Sequence, residues 1–299
     1  MKIYDCFMYF DEEVVLDLRL NILSKYVDKF IITEATYAHN GDPKKLNFDI
    51  NKFSKFKDKI EYIVVKDQPP TLLKLNDLDS HGTNAEKLIL NGYKRDHYQR
   101  QKIQENLTNI NPEDIIIISD LDEIPNLEKI DIKKIKNKII CFKQKMFYYK
   151  FNLLYESIPW FGSRACRKKN FITPQWLRDV KHKKYPLWRI DTFFSKRKYH
   201  DIYYVENGGW HFTNIKSPQE IYKKLLKFAH HFEFEESGIK LEDLEKMIKE
   251  KKAIYDHSID QRGYKWGGNT KLKTLVLSEM PKYLAENHTK YTDWLDFNN

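Results

Sequence analysis

Residues 115–125 read IIIISDLDEIP. Four consecutive isoleucines without alternation predict a strand that is buried on both faces, as in the middle of a largely parallel sheet between helices. Ser119 then begins a polar turn that carries Asp120, Asp122 and Glu123. In open α/β sheets ligands collect beyond the carboxyl ends of the strands, so these carboxylates are expected where a substrate binds.

The three carboxylates of this turn repel one another unless a cation neutralises them. Hard oxygen ligands suit Mn²⁺ or Mg²⁺, and a diphosphate can complete the coordination shell. Asp120 and Asp122 therefore form a candidate metal and nucleotide-sugar site. From these residues alone, an ordinary turn whose acids cap the next helix is the alternative.

Length and composition indicate a folded α/β protein. The chain has 299 residues, of which 41% are hydrophobic and 14% aromatic. This length fits one large α/β domain, and the composition excludes a disordered chain. The first residues, MKIYDCFMYFDEE, read as a strand and not as a signal peptide, and three scattered cysteines favour a reducing compartment. These features predict a cytoplasmic protein.

The net charge of +9 is unevenly distributed. Residues 133–200 contain 19 lysines and arginines against three acids, a local balance of +16. Such a segment favours an anionic partner, such as an acidic or lipid-linked glycan at a membrane surface, or a nucleic acid. A general abundance of lysine on solvated surfaces is the alternative.

The order of predicted elements indicates βαβ units. Strands are predicted over 3–10, 29–35 and 59–66, with a helix over 12–27 and a second helix over 84–107 after a long loop at 67–83. Further β structure is expected over 138–155, a loop over 157–171, and helices over 217–234, 241–256 and 271–286. The sequence GYKWGG at 263–268 is typical of a lid or a phosphate-facing loop.

The helix over 84–107 leads directly into the isoleucine strand. Arg95, Gln99 and Lys102 share one face of it, and Arg100 forms an i, i+4 pair with Asp96. A face of this kind can reach the phosphates of a nucleotide. An exposed amphipathic face with one salt bridge is the alternative.

Four tryptophans and one histidine follow in the second half of the chain. Trp160, Trp176, Trp188 and Trp210 can line a groove for sugar rings or belong to the core. Two glycines precede Trp210 and His211 and allow the backbone to approach another group closely. His211 is therefore a candidate metal or diphosphate ligand, and a structural histidine is the alternative.

Several motifs together resemble glycosyltransferase family 17. They are the opening DCFMYFDEEVV and its continuation to residue 48, then RDHYQR, ISDLDEIP, WFG, GGWHF and KFAH, in this order. The similarity runs from about residue 3 to about residue 235. It implies a GT-A type fold, with a Rossmann-like, mostly parallel sheet flanked by helices and a contiguous acceptor-binding half. It also implies a metal-dependent, inverting transfer from a UDP-sugar, with UDP-N-acetylglucosamine as the first expectation.

The resemblance also implies roles for individual residues. Asp120 and Asp122 take the metal and diphosphate role, and His211 completes that site. Glu34, at the end of the second strand, contacts the nucleoside. The arginines at both ends of RDHYQR face the phosphates.

An inverting transfer needs a base that deprotonates the acceptor hydroxyl. Asp191 and Glu233 lie in the expected acceptor half, and Glu123 lies next to the metal pair. The chain is divided accordingly within one catalytic domain over 1–290. Residues 1–126 form the nucleotide-sugar half, 127–240 the acceptor half, and 241–299 the helices that close the domain.

Two other classes of protein compete with this interpretation. A nucleotidyltransferase that forms nucleotide sugars also places acids after a buried strand, but its glycine-rich phosphate loop is missing from residues 1–30. A nucleic-acid-binding protein would account for the basic segment and its aromatic residues. It would not account for an acidic cluster after a buried strand, so no nucleic-acid partner is expected.

Overall fold

A computed structural model describes residues 1–227, 231–258, 265–267 and 270–297. Most of KFAH and half of GYKWGG lie outside these ranges, so the predictions made for those two motifs are not covered. In the described ranges, every helix is too short or too polar to cross a membrane.

The first half alternates strands and helices, as predicted. Its elements are β1 (Ile3–Met8), α1 (Glu13–Leu23), β2 (Lys29–Ala35), β3 (Ile60–Val65), α2 (His81–Gln101) and β4 (Ile115–Ile118). A 3₁₀ segment, Ile50–Lys59, leads into β3, and another, Lys102–Leu107, continues α2. Helix α2 begins earlier than predicted because the Ser80 side chain accepts a hydrogen bond from the Thr83 amide at 3.1 Å and caps the helix.

Among the described residues, the second half contributes eight strands. They are β5 (Glu123–Pro125), β6 (Ile139–Phe142), β7 (Gln144–Tyr148), β8 (Leu153–Trp160), β9 (Arg164–Arg167), β10 (Ile202–Val205), β11 (Gly209–Thr213) and β12 (Lys273–Thr274). Strand β8 continues through Ser157–Trp160, where a loop was predicted. Its outer half is more exposed than its inner half, and a strand near a sheet edge tolerates Pro159.

A seven-stranded sheet contains β1 to β4, in the order β10, β6, β9, β4, β1, β2, β3. All of its strands run parallel except β9, which is antiparallel to both of its neighbours. Three of the strands, β6, β9 and β10, come from beyond residue 126, so the later part of the chain completes the sheet begun by the earlier part. The mostly parallel α/β architecture predicted from the sequence is confirmed.

The central strand β4 is buried on both faces, as its four isoleucines predict. Ile115 and Ile117 pack into a core shared with α1, whereas Ile116 and Ile118 pack into a second core on the other face. That second core includes Ile103 and Leu177. Continuous apolar character is therefore needed here, because neither face of the strand reaches water.

A five-stranded sheet, in the order β12, β8, β7, β11, β5, packs beside the first. The described ranges contain five further helices: α3 (Pro174–Asp179), α4 (Pro218–Leu225), α5 (His231–Glu236), α6 (Leu241–Lys249) and α7 (Lys282–Glu286). The predicted capping box of α4 is present, with Ser217 and Glu220 bonded reciprocally. Instead of one helix over 271–286, the chain forms β12, a 3₁₀ turn and the short α7, since Pro281 interrupts helical bonding.

Candidate active site

One buried arginine holds the backbone of the turn that follows β4. Arg19 of α1 donates from Nη1 to the carbonyl oxygens of Asp120 at 3.1 Å, Leu121 at 3.0 Å and Glu123 at 2.8 Å. Its other nitrogens form a paired contact with the Asp5 carboxylate at 2.6 and 2.8 Å. Both side chains are fully buried. The backbone of the turn is therefore held by a rigid planar group.

The sequence does signal this arginine, although sequence reasoning missed it. Arg19 lies among Val15, Leu16 and Leu20 on the apolar face of α1, and Asp5 interrupts an apolar strand. Two opposite charges at positions that should be buried indicate a buried ion pair, because an unpaired charge would be costly there.

Asp122 and His211 lie together at the carboxyl end of β4. His211 stands opposite Glu123 in the pairing of β11 with β5, and the Phe212 amide donates to the Asp122 carbonyl at 2.8 Å. This register places His211 Nε2 at 3.4 Å from Asp122 Oδ2. Burial lowers the pKa of His211, but the nearby carboxylates, Asp122 first, outweigh that effect and raise the pKa. His211 Nδ1 is buried without a hydrogen-bond partner.

The two glycines before Trp210 make this register possible. Gly209 has φ +134°, and a Cβ there would lie 2.1 Å from the Ile124 carbonyl oxygen. A Cβ on Gly208 would lie 2.6 Å from the Val205 carbonyl oxygen. The close approach predicted for these glycines is thus an approach to neighbouring strands, and it positions His211.

Asp120 is held between two arginines from different helices. Arg100 Nη2 lies 3.1 Å from one carboxylate oxygen, and Arg178 Nη2 lies 2.7 Å from the other. Burial raises the pKa of Asp120, but Arg178 and Arg100 outweigh it and hold that pKa well below its usual range. Arg100 also pairs with Asp96, as its i, i+4 spacing predicted. Sequence reasoning missed Arg178, which is 58 residues from Asp120 and has no local motif.

Glu123 is fully buried and supports the turn. Its carboxylate accepts from the Asp120 amide at 2.8 Å, from Trp160 Nε1 at 2.7 Å and from Arg178 Nη1 at 2.5 Å. Gly162 packs directly on the carboxyl group, where a Cβ would lie 2.0 Å from the carboxyl carbon. Glu123 therefore lies in the protein interior behind Asp120 and Asp122, and not on the wall of a cavity.

Gly162→Ala is expected to destabilise the protein by about 2 kcal/mol or more, because the added methyl group must displace the buried Glu123 carboxylate. Urea unfolding followed by tryptophan fluorescence measures the change. Gly82→Ala in the first turn of α2 is the matched control, since only the Ser80 hydroxyl, at 4.0 Å, lies near its Cβ position. Equal free energies of unfolding for the two variants would contradict the assigned packing.

A cavity of about 340 Å³ opens above the turn, at the carboxyl edge of the parallel strands. We call it the donor cavity, after the nucleotide-sugar donor that the sequence predicts at this edge of the sheet. Its walls include Met8, Tyr9 and Phe10 after β1, Arg100 on α2, and Asp120 and Asp122. We call residues 119–123 the acidic turn. Its expected position at a ligand-binding edge of the sheet is matched by an open space of ligand size.

Glu34 and Arg95 lie away from the walls of the donor cavity. The buried Glu34 carboxylate accepts from the amides of Asn47 and Phe48 at 2.8 and 3.1 Å, and from Tyr62 Oη at 2.8 Å. It also pairs with a lysine, so its oxygens are occupied. Arg95 donates to Gln68 Oε1 at 2.8 Å and to a backbone carbonyl at 3.1 Å. In this structure both residues hold loops in place.

The two carboxylates predicted in the acceptor half have different surroundings. Asp191 lies on an exposed loop, paired with Arg189 at 2.6 Å and with Lys198 at 2.7 Å. Glu233 is half-buried on α5. Burial raises the pKa of Tyr93, a wall residue of the donor cavity, and the Glu233 carboxylate raises it further. Glu233 is therefore close to the cavity, whereas Asp191 belongs to a surface ion-pair group.

Of the four tryptophans, Trp160 adjoins the site. Its ring stacks on His211, with centroids 4.6 Å apart. Trp176 is buried in the core that contains Ile116 and Ile118, Trp210 is half-buried against the core that contains Ile115 and Ile117, and Trp188 is 75% exposed.

One basic stretch of the middle segment, residues 167–169, lies at the opposite edge of the sheet. Arg167 pairs in register with Ile115, at the start of β4, whereas the acidic turn follows the end of that strand. Arg167 and Lys169 both bind Glu113, at 3.0 and 2.6 Å. This cluster is thus remote from the donor cavity.

Asp122 and His211 fit a partial metal site. The 3.4 Å between their facing atoms is close to the separation of two ligands that bind one ion at about 2.1 Å each. Within the described part of the chain, however, there is no group of three or more histidine, cysteine, aspartate or glutamate residues placed to hold a metal. Oxygens of a bound diphosphate would have to complete such a shell.

Comparison with known proteins identifies the class. A model described as glycosyltransferase family 17 matches residues 1–296, which places the chain among the glycosyltransferase enzymes. The human and rat proteins named β-1,4-mannosyl-glycoprotein 4-β-N-acetylglucosaminyltransferase are each 28% identical to it over 115 residues, or 37% of this chain and 19% of theirs. The mouse protein of that name is 27% identical over a stretch of the same length. The chain belongs to glycosyltransferase family 17. The match spans about a fifth of the length of these relatives.

Proposed function

We propose that this protein transfers a sugar, N-acetylglucosamine in the first instance, from a UDP-sugar to a hydroxyl group of a glycan, with inversion and with the help of Mn²⁺ or Mg²⁺. The observation that carries the proposal is the pair formed by Asp122 and His211 on the edge of the donor cavity. The names of the three relatives support N-acetylglucosamine as the sugar. The order of the seven-stranded sheet, with one reversed strand, supports a GT-A type fold.

The metal would be held by Asp122 and His211. When bound, such an ion neutralises charge that develops on a departing diphosphate. Asp120 would serve the same end indirectly, because it fixes Arg100 and Arg178 beside the cavity and balances their charge. Arg100 lies on the cavity wall, where it can contact a phosphate oxygen. Phe10, on the same wall, can offer its ring to a nucleoside base.

Glu233 is the proposed base. It would take the proton of the acceptor hydroxyl as that oxygen forms its new bond to the sugar, while the bond from the sugar to the diphosphate breaks. Its position near Tyr93 supports this role. Asp191 is engaged by two cations at the surface, and Glu123 is enclosed beneath the turn, so neither is placed as well.

The test is a calorimetric titration of nucleotide sugars with and without Mn²⁺. We expect UDP-N-acetylglucosamine to bind and Mn²⁺ to strengthen that binding, because the cation offsets repulsion between the diphosphate and the acidic turn. GDP- and CMP-sugars serve as controls for the preference for uracil as the nucleobase. If no nucleotide sugar binds, but UTP and a sugar phosphate together release pyrophosphate, the protein is a nucleotidyltransferase and the proposal is wrong.

Contact with a membrane surface is proposed for the loop at 183–198. The sequence predicted such contact for the whole basic segment, residues 133–200, and the proposal is limited to this loop. Five large apolar side chains are exposed in this loop between lysines and arginines: Leu187, Trp188, Ile190, Phe193 and Phe194. Exposed apolar side chains interleaved with basic ones are typical of segments that lie on anionic lipid. Such contact would suit a lipid-linked acceptor.

Co-sedimentation with vesicles tests the loop. The double variant Trp188→Ser with Phe194→Ser is expected to lose binding to vesicles that contain phosphatidylglycerol. Leu78→Ser, at a side chain that is 93% exposed on another loop, is expected to bind like the unchanged protein. Equal binding of all three proteins, or binding that does not depend on the anionic lipid, would contradict the proposed contact.

A further inference from the structure

A second cavity, of about 300 Å³, lies on the other side of His211. We call it the aromatic cavity. Four of its wall residues carry rings in addition to the His211 ring: Tyr148, Tyr255, His257 and Trp266. They come from β7 and from the segment after α6, so separate parts of the chain converge on one space. The function assigned above does not account for this cavity.

The two cavities meet at the acidic turn. Lys224 of α4 lines both of them. His211 lines the aromatic cavity, and its partner Asp122 lines the donor cavity, with 3.4 Å between the facing atoms. Tyr93 of the donor cavity is close enough to Tyr255 of the aromatic cavity for the two to interact electrostatically. A molecule in the aromatic cavity would therefore lie next to the diphosphate end of a bound donor.

Neighbouring rings of the cavity wall pack edge to face. Tyr255 and Trp266 have centroids 5.2 Å apart at an interplanar angle of 81°, and Tyr255 lies 4.8 Å from the His257 ring at 61°. Tyr148 Oη is 2.5 Å from His257 Nε2. Rings fixed in this way present a preformed apolar surface with polar edges, which matches the alternating apolar faces and hydroxyl rims of a pyranose.

The aromatic cavity carries little net charge. Its wall residues among the described part of the chain include no aspartate or glutamate. Burial lowers the pKa of His257 to about 4, so this ring is neutral at pH 7. Lys224, the lysine of the wall, pairs with Glu12 at 3.3 Å. Its charge thus has an anionic partner, and the space favours an uncharged ligand.

We propose that the aromatic cavity binds the acceptor as a neutral pyranose ring, with the reacting hydroxyl directed past His211 toward the donor cavity. This assignment rests on the proposed function and adds to it the position and charge class of the acceptor. It replaces the anionic acceptor expected from the basic segment, whose Arg167 and Lys169 lie at the other edge of the sheet.

Binding of simple glycosides tests the assignment. The probes are the methyl β-glycosides of glucose, galactose and mannose, with methyl β-glucuronide as the charged counterpart. Ligand-observed nuclear magnetic resonance gives their affinities, and each titration is repeated with UDP and Mn²⁺ present. We expect at least one neutral glycoside to bind saturably and more tightly than the glucuronide.

Tyr255→Ala is expected to weaken that binding about tenfold, since one stacked ring face is lost. Tyr255→Phe should retain it. Tyr203→Ala, on the exposed edge strand β10, is the matched control and should also retain it. Circular dichroism of Tyr255→Ala establishes that the variant is folded, and its affinity for UDP should be unchanged because Tyr255 is not on the donor cavity wall.

Three results would overturn the assignment: tighter binding of the glucuronide, equal loss in Tyr255→Ala and Tyr203→Ala, or no saturable binding of any neutral glycoside by a protein that binds UDP. A fourth is displacement of the glycoside by UDP-N-acetylglucosamine but not by UDP, which would assign the cavity to the donor's own sugar. Failure of UDP itself to bind, with glycoside binding intact, would refute the proposed function and leave a sugar-binding cavity.

Discussion

Asp122→Asn is expected to lower the turnover of a UDP-sugar by about 100-fold to 1,000-fold, the loss typical for one group that stabilises charge in a transition state. The amide keeps the size of the side chain but removes the negative charge that faces His211. A cation would then lose one of its two protein ligands. The backbone of the turn should be unaffected, because Arg19 and Phe212 contact main-chain atoms there.

UDP release in the presence of Mn²⁺ and a saturating UDP-sugar measures this effect, and hydrolysis of the donor suffices where the acceptor is unknown. Asp191→Asn is the matched control. It makes the same chemical change in an exposed acid that is paired with Arg189 and Lys198, and it should leave turnover unchanged. Undiminished UDP release by Asp122→Asn would refute the metal site, and an equal loss in both variants would indicate a nonspecific effect.

Arg19→Met is expected to cost about 3 to 5 kcal/mol of the free energy of unfolding, because it leaves Asp5 as an unpaired buried charge. It also removes the donor shared by three carbonyl groups of the acidic turn. Urea unfolding followed by fluorescence gives the change. Lys25→Met, at a lysine side chain that is 58% exposed, should change stability by less than about 0.5 kcal/mol.

A double variant separates the two parts of this cost. In Asp5→Leu with Arg19→Met the unpaired charge is gone, so a buried ion pair alone would predict nearly complete recovery. We expect only partial recovery, because the carbonyls of Asp120, Leu121 and Glu123 still lack their donor. Full recovery of stability would mean that Arg19 does not hold the turn.

The order of elements in the first half could be predicted from the sequence because local patterns determine it. The isoleucines of β4 are buried on both faces, as an unbroken apolar run requires. β2 has the predicted bounds, Lys29–Ala35. The acidic turn lies at the predicted edge of the sheet, beside the donor cavity.

The partners of the acidic turn could not be predicted in the same way. Arg178 reaches Asp120 from a helix 58 residues away, and Gly162 packs on Glu123 from the end of β8. Both contacts depend on how β9 enters the sheet between β4 and β6, which no local pattern reveals. Glu34 and Arg95 were predicted to contact the nucleotide because each fits a motif. In the structure their polar atoms form hydrogen bonds with the loops around them instead.

The seven-stranded sheet combines strands from before and after residue 126, and this limits which parts of the enzyme can be exchanged. β9 separates β4 from β6, so a fragment that ends at residue 126 would leave one side of β4 without a hydrogen-bonding neighbour. Replacing residues 1–126 by the corresponding part of a relative would therefore pair a foreign β4 with the β9 of this chain. Donor preference is better re-engineered by single substitutions on the cavity wall than by exchanging half of the chain.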